Sequence, residues 1–210
     1  LARGLVRYAK VMPDGDWRRE MTRNPDMFSV SGKTMLVVGL GGIGTAAAKR
    51  ANALGMRVIA TRNSSREGPA FVDYVGLSDE LPDLMGKADI IVNALPLTSS
   101  TTGLFDKALF ARAKPGAYFI NVGRGGTVRT DALVEALESG KLAGAGLDVT
   151  DPEPLPSDHP LWQMSNVMVT PHVSGAGADR RLHNMLLREN IRRYLAGDAL
   201  LNVVDPARGY

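Results

Sequence analysis

Residues 34–44 read TMLVVGLGGIG, a largely apolar run that enters a glycine-rich turn. The turn has the pattern Gly-x-Gly-x-x-Gly at Gly39, Gly41 and Gly44, and an amphipathic segment, 43–54, follows it. The first glycine permits a tight turn, the second lets backbone approach a pyrophosphate, and the third lets a helix pack on a strand. Unpaired amides at the start of the helix attract anions. The stretch therefore predicts dinucleotide binding rather than a turn with a structural role alone.

Short apolar runs alternate with helical segments from residue 34 onward. This alternation predicts parallel strands that are joined by right-handed crossover helices. The predicted strands are Thr34–Val38, Arg57–Thr61, Val72–Val75, Asp89–Leu95, Ala117–Val122, Ala143–Val149 and Val167–Val169. The predicted helices are Ile43–Leu54, Ser78–Met85, about Asp131–Ser139 and Ala178–Ala196. The first helix ends before Gly55, and its predicted inward face consists of Ile43, Ala47, Ala51 and Leu54. We predict an α/β fold, a doubly wound parallel sheet of the Rossmann type.

The length of 210 residues allows one domain, or one domain and part of a second, at about 150 residues per domain. Residues 1–30 read as the end of a helix followed by an extended arm, and residues 31–177 as the dinucleotide-binding domain. Residues 178–210 read as an Arg-rich amphipathic helix and a tail. Leu1 stands where a start methionine is expected, so we expect a trimmed or partial chain.

The composition, 44% apolar and 22% charged, excludes disordered and collagen-like classes. A net charge of +3 is too small and too scattered to predict a nucleic-acid surface, although 18 of the 25 cations are arginine. The absence of cysteine excludes thiol catalysis, disulfides and cysteine zinc sites, and no metal site is predicted. We expect neither a membrane span nor a signal peptide, and a cytoplasmic location.

The end of the second predicted strand decides between NAD and NADP. An NAD site places a carboxylate there to hold the ribose 2′-hydroxyl, but residues 61–66 read TRNSSR. Arg62 suits a 2′-phosphate, with Thr61 and Asn63 beside it. We therefore favour NADP, with NAD as the alternative. The remaining interpretation of these residues is a solvated basic loop that binds no phosphate. A methyltransferase that binds S-adenosylmethionine would have an acidic residue at this position, so Arg62 argues against that class of enzyme.

Three further loops after predicted strands carry reactive side chains. Arg124 lies among glycines, Glu153 lies between prolines, and His172 follows the last short strand. Taken singly, each is more often a surface residue without a catalytic role. Their joint presence after the strands of one dinucleotide-binding sheet favours an active site.

Together these residues resemble the D-isomer-specific 2-hydroxyacid dehydrogenases. The resemblance covers almost the whole chain and rests on residues 37–41, 95–98, 121–126, 147–149, 171–175 and 190–204. It implies hydride transfer between a nicotinamide cofactor and a 2-oxo acid, with a catalytic set of Arg124, Glu153 and His172. Arg124 would hold and polarise the substrate, His172 would exchange a proton with its oxygen, and Glu153 would orient the His172 ring.

The resemblance also implies the cofactor site and the partners. Asp148 would lie near the nicotinamide carboxamide, while Leu95, Pro96 and Thr101 would line the cleft. The full set of expected cofactor contacts is Gly39, Gly41, Gly42, Ile43, Gly44, Thr61, Arg62, Asn63, Leu95, Pro96, Thr101, Val122, Gly123, Asp148 and Gly175. A homodimer is expected. Formate dehydrogenases of the same superfamily carry an amide at the Glu153 position, so a hydroxyacid substrate is favoured.

Family members have a substrate domain built mostly from sequence that precedes the cofactor domain. We expect residues 1–30 and 178–210 to be the flanking helices of such a truncated domain. NADP(H) binding with poor turnover of 2-oxo acids is therefore expected of these residues alone. A sensor or interaction module that uses the cofactor structurally is the alternative, and the combined presence of Arg124, Glu153 and His172 favours the enzyme.

Overall fold

A computed structural model describes residues 1–15, 27–177 and 180–205. Its strands are β1 (Thr34–Val38), β2 (Arg57–Thr61), β3 (Tyr74–Gly76), β4 (Ile90–Asn93), β5 (Ala117–Asn121), β6 (Leu142–Leu147) and β7 (Val167–Val169). Its α-helices are α1 (Leu5–Val11), α2 (Gly42–Ala53), α3 (Leu81–Met85), α4 (Lys107–Arg112), α5 (Thr130–Glu138) and α6 (Arg180–Ala196). Short 3-10 turns lie at Met12–Asp14, Ser78–Glu80, Gly125–Thr127 and Pro160–Trp162.

All seven strands form one parallel sheet in the order β3-β2-β1-β4-β5-β6-β7. The chain runs outward from β1 to β3, returns to place β4 on the other side of β1, and then runs outward to β7. The strand order therefore reverses between β1 and β4, which is where such sheets bind ligands. The predicted doubly wound α/β fold is confirmed.

Two apolar layers cover the two faces of the sheet. Alternate residues of β1 supply both, since Leu36 and Val38 belong to one layer and Val37 to the other. The larger layer contains the rings of Phe105, Phe110 and Phe119. Their centroids lie 5.0 to 6.0 Å apart, a normal range for packed aromatic side chains. Because both faces are covered, the strands read as continuous apolar runs.

Helix α2 buries a different face from the predicted one. Its buried residues are Gly44, Ala48 and Ala51, whereas Ile43 and Leu54 are 60% and 62% exposed. The prediction of an Ile43-to-Leu54 inward stripe was therefore wrong at both ends. The helix approaches the sheet so closely that only small residues fit between them, and this contact, rather than hydrophobicity, sets its rotation.

Several elements differ in their bounds from the sequence prediction. The predicted strand Val72–Val75 begins two residues before β3 and ends one residue before its end, and the predicted strand Asp89–Leu95 extends beyond β4 at both ends. The predicted helix Ser78–Met85 is a 3-10 turn followed by α3. Helix α4 was not predicted, because its six residues are too few to show a period. Its start carries a signal nonetheless, as Asp106 accepts a hydrogen bond from the Leu109 amide at 2.8 Å. Most of the predicted N-terminal arm, residues 16–26, and Ala178 lie outside the described residues.

The chain divides into two compact units, Leu1–Pro171 and His172–Tyr210. The first contains the whole sheet and the second contains α6. Within α6, Glu189 accepts hydrogen bonds from Arg192 and Arg193, which lower the pKa of its carboxyl to about 2. Among the described residues, no helix is both long enough and apolar enough to cross a membrane.

Candidate cofactor and active site

The loops after β1 and β4 touch at the reversal of strand order. Gly39 has a φ of 95°, and a Cβ built on it would lie 3.0 Å from Leu95 Cδ2 and 3.1 Å from the Ala94 carbonyl oxygen. Both the left-handed conformation and the contact with Leu95 require glycine at this position. Gly123, after β5, approaches the same loop, since its Cβ would lie 2.6 Å from the Leu95 carbonyl oxygen. The loops therefore form a continuous rim along the carboxyl ends of the strands.

The glycine turn separates a packed position from an open one. A Cβ on Gly44 would lie 2.1 Å from the Gly39 carbonyl oxygen, so this glycine permits the close contact of α2 with β1. Gly41 and Gly42 are exposed, and a Cβ on either would meet nothing within 4 Å. Gly41 is the N-cap of α2, and no side chain caps this helix start. The helix therefore presents its first amides and its positive dipole end to an open surface.

The loop after β2 is anchored through backbone atoms. The Thr61 carbonyl accepts from the amides of Gly39 and Leu40 at 3.3 and 3.1 Å, and Thr61 itself is buried. The Arg62 amide donates to Gly76, while its guanidinium Nη1 donates to the Glu67 carbonyl at 3.1 Å. This holds a half-buried arginine at the end of β2, beside exposed Asn63.

A second arginine in this loop, Arg66, forms a surface cluster with Glu80 and Tyr74 that sequence reasoning missed. Arg66 pairs with Glu80 at 2.7 Å and donates to the Tyr74 hydroxyl at 3.1 Å. Tyr74 in turn donates to Glu80. This hydroxyl, the Leu77 amide and the Arg66 charge hold the pKa of Glu80 below its usual value. Arg62 and Arg66 are therefore not equivalent cations.

The loop after β4 is closed by a threonine. The Thr101 hydroxyl donates to the Pro96 carbonyl at 2.7 Å and accepts from the Thr98 amide at 2.8 Å. Thr101, which was predicted to line the cofactor cleft, thus fixes the turn that carries Leu95 and Pro96. All three of these predicted residues are half-buried on the rim.

Two asparagines lie beneath the rim, where sequence reasoning had placed no functional residue. Asn93 and Asn121 are register partners that end β4 and β5. Asn93 Nδ2 donates to Asn121 Oδ1 at 3.0 Å and to Thr127 Oγ1 at 2.7 Å. Thr127 Oγ1 donates to the Arg124 carbonyl at 2.6 Å. The sequence signal was a polar residue at the end of an apolar strand, which must find hydrogen-bond partners when it is buried.

The side chain of Arg124 lies on the exposed side of its anchored loop, where Nη1 donates to the Gly123 carbonyl at 2.8 Å. The loop also touches the one that carries Glu153, because a Cβ on Gly125 would lie 1.7 Å from the Thr150 carbonyl oxygen. Glu153 is exposed, and the Glu153–Pro154 peptide bond is cis. The structure thus brings together the loops of two predicted catalytic residues.

In the sequence, Asp148 directly follows β6 and His172 lies three residues after β7. Asp148 is 7% exposed, and its Oδ1 accepts from the Thr170 hydroxyl at 2.6 Å. His172 begins the second unit with a φ of 52°, a left-handed conformation that is uncommon outside glycine. Gly175 follows in the same unit and is exposed. No cluster of three or more possible metal-ligating side chains occurs among the described residues.

The profile of the D-isomer specific 2-hydroxyacid dehydrogenase NAD-binding domain matches residues 1–174. This match covers the sheet and the loops that follow β1, β2, β4, β5 and β6. The chain belongs to this family. The resemblance on which the sequence prediction was based is therefore confirmed.

Individual relatives agree with this assignment. The chain is 40% identical over 210 residues to glyoxylate/hydroxypyruvate reductase B of Enterobacter sp. (strain 638). This alignment covers 98% of the chain and 64% of that relative. A D-isomer specific 2-hydroxyacid dehydrogenase from Xanthobacter autotrophicus Py2, solved with NADPH and MES, matches with a TM-score of 0.85 and 37% identity. A glyoxylate/hydroxypyruvate reductase from Sinorhizobium meliloti, solved with NADP and sulfate, matches with a TM-score of 0.86 and 34% identity.

Both solved relatives align with 100% of this chain, which spans 64% and 65% of their respective lengths. The chain thus spans somewhat less than two thirds of the relatives that it matches.

Proposed function

We propose that the chain binds NADP(H) along the rim and supplies the cofactor half of a reductase for 2-oxo acids. The observation that carries this proposal is the glycine turn, in which Gly44 packs against Gly39 while the uncapped start of α2 faces open space at Gly41. A pyrophosphate fits such a helix start because its oxygens accept from the free first-turn amides and its charge suits the dipole.

Three further parts of the rim complete the proposed cofactor site. The adenosine ribose would lie over the loop after β2, near Thr61, Arg62 and Asn63. The nicotinamide would lie over the loops after β4 and β5, at Leu95, Pro96, Val122 and Gly123. We propose that Asp148 lies near the carboxamide group of the nicotinamide, because it is a buried carboxylate at a strand end. Ile43, Thr101 and Gly175 remain proposed contacts.

Preference for NADP over NAD follows from the residues after β2. No carboxylate occupies residues 61–66 to hold a ribose 2′-hydroxyl, and Arg62 is anchored at the site that a 2′-phosphate would approach. A guanidinium binds phosphate with two parallel hydrogen bonds. The relatives from Xanthobacter autotrophicus and Sinorhizobium meliloti, solved with NADPH and NADP, support the same choice.

The proposed chemistry reduces a 2-oxo acid to a D-2-hydroxy acid, for which bound NADPH supplies the hydride. Arg124 would bind the carboxylate and polarise the carbonyl oxygen, where negative charge develops during the reaction. His172 would donate a proton to that oxygen and accept it in the reverse direction. Glu153 would orient the His172 ring. The curated relative named glyoxylate/hydroxypyruvate reductase supports this reaction class.

Fluorescence titration of the 210-residue chain with NADPH and with NADH tests the cofactor proposal. We expect micromolar binding of NADPH and binding of NADH at least about tenfold weaker, the ratio for one charge-assisted contact. Equal affinities would contradict the NADP preference, and binding of neither would contradict the whole proposal.

NADPH oxidation with glyoxylate and hydroxypyruvate tests the activity in the protein as its gene encodes it. His172→Ala should lower kcat by at least about a hundredfold, since general acid catalysis contributes 10²–10⁴-fold. His159→Ala, a change in a loop without a proposed role, is the matched control. Undiminished turnover in His172→Ala would remove the acid role from His172.

The organisation of the protein belongs to the same proposal. We assign 31–177 to the cofactor domain, and 1–30 and 178–210 to segments that adjoin a substrate domain. A homodimer and a cytoplasmic location are proposed on the family resemblance. Light scattering of the purified protein tests the dimer, and a monomer mass at micromolar concentration would contradict it.

A further inference from the structure

We infer that Thr127 and Asn93 are positioning residues that hold Arg124 and the Leu95 loop in the arrangement that the reaction requires. The inference rests on the proposed function. It concerns a buried network beneath the rim rather than the groups that touch cofactor or substrate.

The carbonyl oxygen of Arg124 is the point at which this network meets the rim. It accepts from Thr127 Oγ1 at 2.6 Å, from the Thr127 amide at 3.2 Å and from Asn121 Nδ2 at 3.3 Å. Three donors, two of them from Thr127, restrain the peptide plane that follows Arg124. The direction in which its side chain leaves the loop is therefore set from below.

The same network also holds the loop after β4. Asn93 Oδ1 accepts from the Leu95 amide at 3.1 Å, and Asn121 Oδ1 accepts from the Gly123 amide at 3.1 Å. Asn93 Nδ2 then joins the two loops, because it donates both to Asn121 and to Thr127. A displacement of either loop would break a bond to the other.

Burial makes the network sensitive to the loss of one member. Asn93 and Thr127 are 0% exposed and Asn121 is 1% exposed. Among the described residues, every buried side-chain nitrogen and oxygen has a hydrogen-bond partner. In such a satisfied network each bond orients the next, and side chains with almost no exposed surface are out of reach of bulk water when one bond is lost.

The Thr127 hydroxyl is the member whose removal changes shape least. It accepts from Asn93 and donates to the Arg124 carbonyl, so it transmits the orientation of one loop to the other. Valine has nearly the same shape and lacks both bonds, whereas serine keeps the hydroxyl. The pair Thr127→Val and Thr127→Ser thus separates the hydrogen bonds from the packing.

The test compares these two variants with the unsubstituted chain in two measurements. The first is amide hydrogen exchange at Leu95 and Gly123 without ligand. The second is the affinity of the NADPH complex for oxamate, a carboxylate with an adjacent carbonyl that does not accept hydride. Asn166→Ala is the control, because it removes a 3.1 Å hydrogen bond from Asn166, directly before β7, to the Ala143 carbonyl in β6.

In Thr127→Val we expect exchange at both amides to be faster by about tenfold and oxamate binding to be weaker by about tenfold, as for a misplaced binding group. NADPH affinity should fall by a smaller factor than oxamate affinity, because the pyrophosphate contacts at the glycine turn are untouched although the loops beneath the nicotinamide loosen. Thr127→Ser should restore both quantities, and Asn166→Ala should leave both unchanged.

Unchanged amide exchange in Thr127→Val would overturn the inference. Equal losses of amide protection and oxamate affinity in the valine and serine variants would overturn it too. So would oxamate binding that is not weakened in a Thr127→Val chain that still binds NADPH. Failure of the unsubstituted chain to bind NADPH would contradict the proposed function instead. In that case, or if oxamate did not bind, the exchange rates at Leu95 and Gly123 alone would support or overturn the positioning role.

Discussion

Gly44 lies so close to Gly39 that a Cβ on it would be 2.1 Å from the Gly39 carbonyl oxygen and 2.9 Å from Val37 Cγ1. This contact brings α2 against β1 and aims the helix start at the rim. Two members of the glycine pattern are thus structural partners of each other, while Gly41 between them faces open space.

We predict that Gly44→Ala destabilises the chain by about 1–3 kcal/mol, because the added methyl group meets backbone that cannot move aside. The free energy of unfolding in urea measures this. Gly42→Ala is the matched control at the same turn, where a Cβ meets nothing within 4 Å. Equal stability of the two variants would show that the close contact is not required.

Gly41→Ala should separate folding from binding. Its backbone is extended, with a φ of −87°, so alanine is tolerated there. The free energy of unfolding should change by no more than about 0.5 kcal/mol, as for other open surface positions. NADPH affinity should fall at least about tenfold, the loss expected when a methyl group removes one charge-assisted contact. Unchanged affinity would place the pyrophosphate elsewhere.

The two arginines of the loop after β2 should differ in their effect on the cofactor. Arg62→Ala should weaken NADPH at least about tenfold and leave NADH unchanged, because only NADPH carries the phosphate. Arg66→Ala is the control, since Arg66 is held by Glu80 and Tyr74. We expect it to change NADPH affinity less than about threefold. A larger loss in Arg66→Ala than in Arg62→Ala would reverse the assignment.

Stability should depend on pH through Asp89 at the amino end of β4. Burial opposes ionisation of this carboxyl, but Lys114 at 2.6 Å and the Thr34 amide at 2.8 Å outweigh it, and its pKa lies below the usual value. Because the pKa of Asp89 is lower in the folded chain than in the unfolded chain, its carboxylate stabilises the fold at pH values above the unfolded pKa of about 4. This contribution is lost as the pH falls through the pKa of the folded chain.

Asp89→Asn should therefore cost about 0.5–1 kcal/mol at pH 6, typical of a partly exposed ion pair, and less at pH 3. Urea unfolding of both chains at the two pH values measures the difference. Asp83→Asn removes the more exposed pair with Arg112 and serves as the control. A cost that is equal at pH 6 and pH 3 would contradict the role of Asp89.

Sequence reasoning proposed the glycine turn and Arg62 because each follows a recognisable strand, and strand ends share one edge of a parallel sheet. It proposed Asp148 from the family resemblance. It missed Asn93, Thr127 and Thr170. These residues act through partners that are 22 to 34 positions away in sequence, and no local pattern records such pairs. It also placed Ile43 and Leu54 on the inner face of α2, because hydrophobicity alone does not show how close a helix comes.

The amino-acid sequence by itself determined the parallel α/β sheet and the family, and it supplied the candidate side chains in the loops that follow the strands. Apolar runs, glycine spacing and strand-to-loop order are local properties, so they can be read directly from the chain. Only the tertiary structure decided that Arg66 pairs with Glu80, and that Asn93 and Thr127 form hydrogen bonds beneath the Arg124 loop. Each of these depends on residues from separate strands or loops, whose distance is set by the packing of the whole sheet.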